Sequence, residues 1–133
     1  MNVVDSSAWV EYFTNGKNAG FFAAAIEDTD HLVVPAICIY EVFKRLLQVV
    51  GESQALVNVG DMFHGQIADL TAPVALAAAK ISVELKLAMA DSVILATTRS
   101  YRGILWTQDA DFEGLEDVRY PGAENRRKQR RKQ

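Results

Sequence analysis

Cysteine is nearly absent from this chain. Cys38 is the sole thiol among 133 residues, so neither an intrachain disulfide nor a cysteine-built metal cage is available. Histidine is almost as scarce: His31 and His64 lie apart from each other and from the acidic motifs, which leaves no evident histidine pair for acid–base work. No apolar run approaches the roughly 20 residues that cross a bilayer. The opening MNVVDSSAW lacks the basic stretch of a secretory signal. Neither GxGxxG nor GxxxxGK[ST] occurs, so nucleotide binding through those glycine loops has no support. A chain of this length, half of it apolar, suits one domain with a single core. These features together predict a cytoplasmic protein.

Positive charge is also scarce, except at one place. Six of the 14 basic residues fall between Arg126 and Lys132, leaving residues 1–125 with 8 basic against 17 acidic groups, a net of −9. An acidic body repels phosphate unless cations intervene. The chain therefore reads as a body over 1–122 and a basic tail over 123–133. The tail shows no apolar periodicity and is expected to be disordered. It is either a solubilising end or an arm that attracts nucleic acid.

The body alternates short β-type runs with helical ones. NVVD (2–5), HLVVP (31–35), QIADL (66–70), ILWT (104–107) and DVRYPG (117–122) read as strands. Helices are predicted after Ser6 and Ser7, through GFFAAAIED, from about Pro35 to Val50, over 53–63 with an interruption at Gly60, from Thr71 to Leu85, and over 90–101 with Gly103 as its C′ residue. Val74, Ala77, Ala78, Ile81 and Leu85 mark one helical face. Strands alternating with helices predict an α/β fold, a parallel sheet covered on both faces. In such sheets function gathers beyond the carboxyl ends of the strands. Asp5 ends the first strand and Asp109 and Asp111 follow the fourth, so they should share an edge.

Each acidic candidate has an ordinary structural reading. Asp5 suits a helix cap. Glu41 has Lys44 and Arg45 three and four residues on, as in a surface ion pair. Asp91 suits the first turn of a helix, whose dipole favours acids. Asp109 and Asp111, in TQDADF, suit an Asx turn. Together they are harder to dismiss, because carboxylates converging at one edge repel one another and raise one another's pKa. A divalent cation removes that conflict. Mg²⁺ and Mn²⁺ prefer oxygen ligands and keep waters that a hydrolase can activate.

At these residues the sequence resembles the PIN-domain ribonucleases, specifically the VapC-type toxins. The resemblance rests on VVDSSAWVEYF, PAICIYEVFKRL and LKLAMADSVILATTRSYRGILWTQDADF, and on the order of elements across residues 1–121. It implies a PIN-like α/β/α fold of about five parallel strands. It implies a Mg²⁺- or Mn²⁺-dependent endoribonuclease acting on cellular RNA, tRNA or rRNA included. Asp5, Glu41 and Asp91 match the family's three main acids, and Asp109 the fourth, ahead of Asp111, so the resemblance implies Asp5, Asp91 and Asp109 as metal ligands, with Glu41 acting directly or through a water. Ser6 and Thr107 match supporting hydroxyl positions. The family also implies homodimers and a cognate VapB-type antitoxin, part of whose groove lies in the N-terminal helical region around Trp9, Phe13, Phe21 and Phe22. These aromatics otherwise read as core. The tail is not part of the shared pattern.

The remaining candidates are plainer. His31 reads as a structural histidine and Cys38 as a buried small hydrophobe. Two rival functions stand beside the nuclease. An aspartate-dependent phosphatase would want DxD after its first strand, where Asp5 is followed by Ser6 and Ser7; a receiver domain would want a late lysine, and none lies between Lys86 and Lys128. A catalytically idle PIN-like interaction module would need none of the acids.

Overall fold

The computed structural model describes residues 1–122; the expected disorder of the basic tail lies outside the described residues. β1 (Asn2–Val4) passes through Asp5 into α1 (Ser6–Phe13), and α2 (Ala19–Ile26) follows. β2 (Leu32–Pro35), α3 (Ala36–Val49), α4 (Glu52–Met62) and β3 (Gln66–Ala68) come next. α5 (Ala72–Leu85), α6 (Met89–Ser100), β4 (Ile104–Trp106) and β5 (Val118–Arg119) complete the order. The five strands form one parallel sheet in the order β3-β2-β1-β4-β5, the predicted α/β arrangement.

Burial explains the composition of the strands. Val3, Val4, Val33, Val34 and Leu105 are wholly inaccessible, as central strands covered on both faces must be. The chain steps outward from β1 to β2 to β3. α5 and α6 then return it to β4, on the other side of β1. Right-handed connections place helices of opposite stepping direction on opposite faces. The reversal leaves a crevice at the carboxyl ends of β1 and β4, the place where such sheets bind ligands. Asp5 N–H donates to the Trp106 carbonyl at 3.1 Å and so ties the two strand ends together at that crevice.

Helix boundaries follow local chemistry. Asp5 caps α1 by accepting the Ala8 N–H, and Thr71 caps α5 by accepting that of Val74. α5 ends where Lys86 takes a left-handed conformation. Two glycines behave differently from expectation. α4 runs unbroken through Gly60, because Ala55, Val59 and Met62 are buried on its inner side and one exposed glycine costs a helix only about 1 kcal/mol. After α6 it is Arg102, at φ +50°, that takes the left-handed position. Gly103 serves close approach instead: a Cβ there would stand 2.7 Å from the Met1 carbonyl oxygen.

The aromatic residues of the N-terminal helices divide. Trp9 and Phe22 are core, whereas Phe21 stays partly open beside the Trp106 ring. An open apolar groove lies elsewhere, between α3 and α4, lined by Ile39, Tyr40, Phe43, Leu47, Leu56 and Phe63. No helix of the described residues is long and apolar enough to cross a membrane.

Candidate active site

Asp5 is the most enclosed acid of the set, only 2% exposed. Its Oδ1 accepts the Ala8 N–H at 3.0 Å, and its Oδ2 accepts the Thr107 hydroxyl at 2.7 Å. The Ser7 hydroxyl lies 3.0 and 3.1 Å from the two oxygens. Burial pushes its pKa up to about 7 despite the Thr107, Ala8 and Ser7 hydrogen bonds that favour the charged form; the nearby charge of Asp109 adds to the rise. Such a carboxylate is held in one orientation.

Thr107 is a two-way link. Its hydroxyl donates to Asp5 and accepts the Asp109 N–H at 2.9 Å, joining the end of β1 to the loop after β4. Asp109 in turn accepts the Asp111 N–H through Oδ1 at 2.9 Å, the local turn bond anticipated for TQDADF. Phe112, wholly buried, closes the loop against the core.

Asp91 enters from the first turn of α6. Partial burial raises its pKa to about 6, and the charges of Asp109, Glu41 and Asp111 push the same way. The carboxylates of Asp91, Asp109 and Asp111 each place one oxygen within 4.8 Å of the others. Glu41, on α3, accepts the Ser6 hydroxyl at 2.7 Å rather than pairing with Lys44 or Arg45.

All the expected acids therefore gather around the β1–β4 crevice. The close triad differs in one member from the expected metal-binding set. It contains Asp111 where Asp5 is expected; Asp5 lies near enough to feel the charge of Asp109, with both its oxygens accepting protein hydrogen bonds. An all-oxygen triad of acids fits a hard divalent cation, which would also relieve the repulsion that raises Asp91. Sequence reasoning missed Ser7: its neighbour Ser6 was marked, and only the helical turn reveals that Ser7 reaches back to Asp5. It also missed Asn18 and Gln108, whose side chains meet at 3.0 Å.

His31 stands apart from this chemistry, whereas Cys38 lies close enough to Ser6, Asp5, Glu41 and Asp91 to feel them. Cys38 is buried with its Sγ 3.8 Å from the Val4 carbonyl, and burial pushes its thiol pKa up, so it is a poor nucleophile. His31 is exposed and meets Asp28 at 3.0 Å.

Comparisons with known proteins agree with the geometry. A family model described as the PIN domain matches residues 3–118. Compared by sequence with curated proteins, the chain matches none. Among solved structures it is similar to a toxin–antitoxin complex from Klebsiella pneumoniae, at TM-score 0.72 and 20% identity over 91% of this chain and 98% of that one. It is similar to VapC20 from Mycobacterium tuberculosis, described as a sarcin–ricin-loop-cleaving toxin, at TM-score 0.71 and 17% identity over 90% and 99%. A DNA-bound VapBC from Salmonella typhimurium gives TM-score 0.70 and 15% identity over 90% and 95%.

Proposed function

This chain belongs to the PIN-domain family, and on that premise we propose that it is the toxin of a type II toxin–antitoxin pair, a metal-dependent endoribonuclease of cellular RNA. One observation carries the reading: Asp91 comes from α6 and Asp109 and Asp111 from the loop after β4, yet the three bring their oxygens within 4.8 Å, at the crevice where β1 and β4 part. The turn bond accounts for Asp109 beside Asp111, but not for setting both against Asp91, whose pKa their charges raise. An idle interaction module would not keep them.

Asp91, Asp109 and Asp111 would hold the Mg²⁺ or Mn²⁺. Such an ion, when bound, neutralises phosphate charge and lowers the pKa of a coordinated water. Asp5 completes the acidic floor and, through Thr107, fixes the start of the Asp109 loop. Glu41, steadied by Ser6, extends the negative rim toward α3. RNA must then approach an acidic cleft, which makes cation loading a condition of substrate binding as well as of chemistry.

The toxin reading, an RNA substrate and a VapB-type antitoxin draw support from fold relatives described as toxin–antitoxin complexes and as an RNA-loop-cleaving toxin. A homodimer working in the cytoplasm completes the proposal. The test is cleavage of total cellular RNA by the purified protein, with Mn²⁺ or Mg²⁺ and with EDTA. Discrete fragments that require the metal support the reading. Intact RNA in both arms, from protein that is folded by circular dichroism, overturns it.

A further inference from the structure

We propose that Asn18 is a positioning residue: by holding the side chain of Gln108, it sets Asp109 and Asp111 against Asp91. The inference rests on the metal-site reading above and names a residue outside the acidic set.

Asn18 stands at the N-cap position of α2, where an asparagine ordinarily turns its side chain onto the first helical amides. It makes no such bond here. Its amide nitrogen instead lies 3.0 Å from Oε1 of Gln108, 90 residues along the chain and half-buried. Gln108 lies between Thr107 and Asp109 in sequence, so this contact grips the acid-bearing loop at its root.

The loop is anchored at its start by the Thr107 hydroxyl, which accepts the Asp109 N–H, and at its end by the buried Phe112; Gln108 adds a side-chain link to the N-terminal helices. The Asp111 N–H bond to Asp109 and the Phe112 N–H bond to the Asp109 carbonyl fold the loop onto itself without orienting it. Thr107 belongs to the strand end, since its N–H donates to the Arg119 carbonyl. Neighbouring residues in extended chain project to opposite sides. Thr107 is held from one side by Asp5, and Gln108 is the next point at which the loop is held by another element. The connection that carries Asn18 is itself well fixed: Gly16 N–H donates to the Glu11 carbonyl at 2.9 Å, and Ala19 N–H donates to the Gly16 carbonyl at 3.0 Å.

The tether also opposes a definite force. Without a cation, three carboxylates within 4.8 Å repel, and the loop bearing two of them would relieve the strain by swinging away from α6. The Asn18–Gln108 bond holds it in place, so the metal-free protein keeps the triad assembled. Preorganisation of this kind strengthens cation binding by removing the cost of gathering the ligands.

The experiment compares the parent, Asn18→Ser, Gln108→Ala, the double variant, and the reciprocal swap Asn18→Gln/Gln108→Asn. Serine can still cap α2 but is too short to reach Gln108. Three readouts are taken on the full chain: hydrogen exchange of the Asp109 and Asp111 amides without metal, Mn²⁺ affinity by calorimetry, and kcat and KM on RNA. Asn18→Ser should speed exchange at both amides and weaken Mn²⁺ binding roughly 3- to 10-fold, the worth of one ordinary hydrogen bond. kcat should fall with KM little changed. The double variant should be no worse than either single one, and the swap should recover part of the loss. Unchanged exchange and Mn²⁺ affinity in Asn18→Ser, while Asp91→Asn abolishes Mn²⁺ binding, would overturn the role of Asn18 and leave the metal site standing. Mn²⁺ binding that survives Asp91→Asn, or is absent from the parent, would overturn the metal reading and this inference with it.

Discussion

At the scale of single residues, Asp5 carries the sharpest consequence. Its folded pKa of about 7 lies above the ordinary aspartate value of 3.8. Folding therefore binds a proton there. The stabilisation is fully present below about pH 4 and is lost as pH rises through about 7. Asp91 acts with the same sign up to about pH 6. The metal-free protein should melt at a lower temperature at pH 8 than at pH 5.5, and Asp5→Asn should flatten that difference. A profile in EDTA that is level, or that rises toward alkaline pH, would contradict the burial argument. Asp5→Asn should also abolish RNA cleavage without lowering the metal-free melting temperature at pH 8, since a neutral amide removes a poorly solvated charge. Full cleavage by both Asp5→Asn and Asp91→Asn would remove these residues from the site. Metal binding should weaken as pH drops below about 6, because protons and cations compete for the Asp91 oxygens.

At the scale of elements, most of the architecture was readable. Short apolar runs bounded by Asp5, Pro35 and Gly103 announce β1, β2 and β4, and the capping Thr71 with Pro73 announces α5. The acids were readable because they stand at strand ends and helix starts, where the fold rather than local propensity brings them together. What escaped was side-chain partnership across long separations. Nothing near Asn18 points to Gln108, and nothing near Glu41 says that it faces Ser6 rather than Lys44. Gly103 was noticed for the wrong reason. Its role is to let β4 begin close beside Met1, whose carbonyl accepts the Ile104 N–H at 3.0 Å. Gly103→Ala should therefore push β4 from β1 and cost about 1–3 kcal/mol, the usual toll of overpacking. Urea unfolding measures this directly, and a loss near zero would mean that the strand start yields freely.

At the scale of the whole molecule, charge and cation work together. A divalent ion that binds only the folded state should raise the melting temperature, by an amount equivalent to about 2.7 kcal/mol at 100 times its dissociation constant. An equal rise in an Asp91→Asn/Asp109→Asn variant would place the ion elsewhere. The six basic residues of 126–132 offset a body of −9, counted over residues 1–125. If they meet RNA phosphates, deleting residues 126–133 should flatten the salt dependence of binding. Six contacts to a single strand would change the log–log slope by about 4. Affinities in an Asp5→Asn background at several salt concentrations supply the slopes, and identical slopes would leave the segment without a part in RNA binding. The strand order has a consequence in time as well. β1 is made first, yet one of its edges stays unpaired until β4 exists: Val3 pairs with Val33 on one side and with Leu105 on the other. On the ribosome, Asp5 emerges 102 residues before Thr107, with Asp109 and Asp111 later still. A product stalled before β4 thus lacks the loop that bears two of the three crowded carboxylates, and on the proposed reading it has no place to hold the ion.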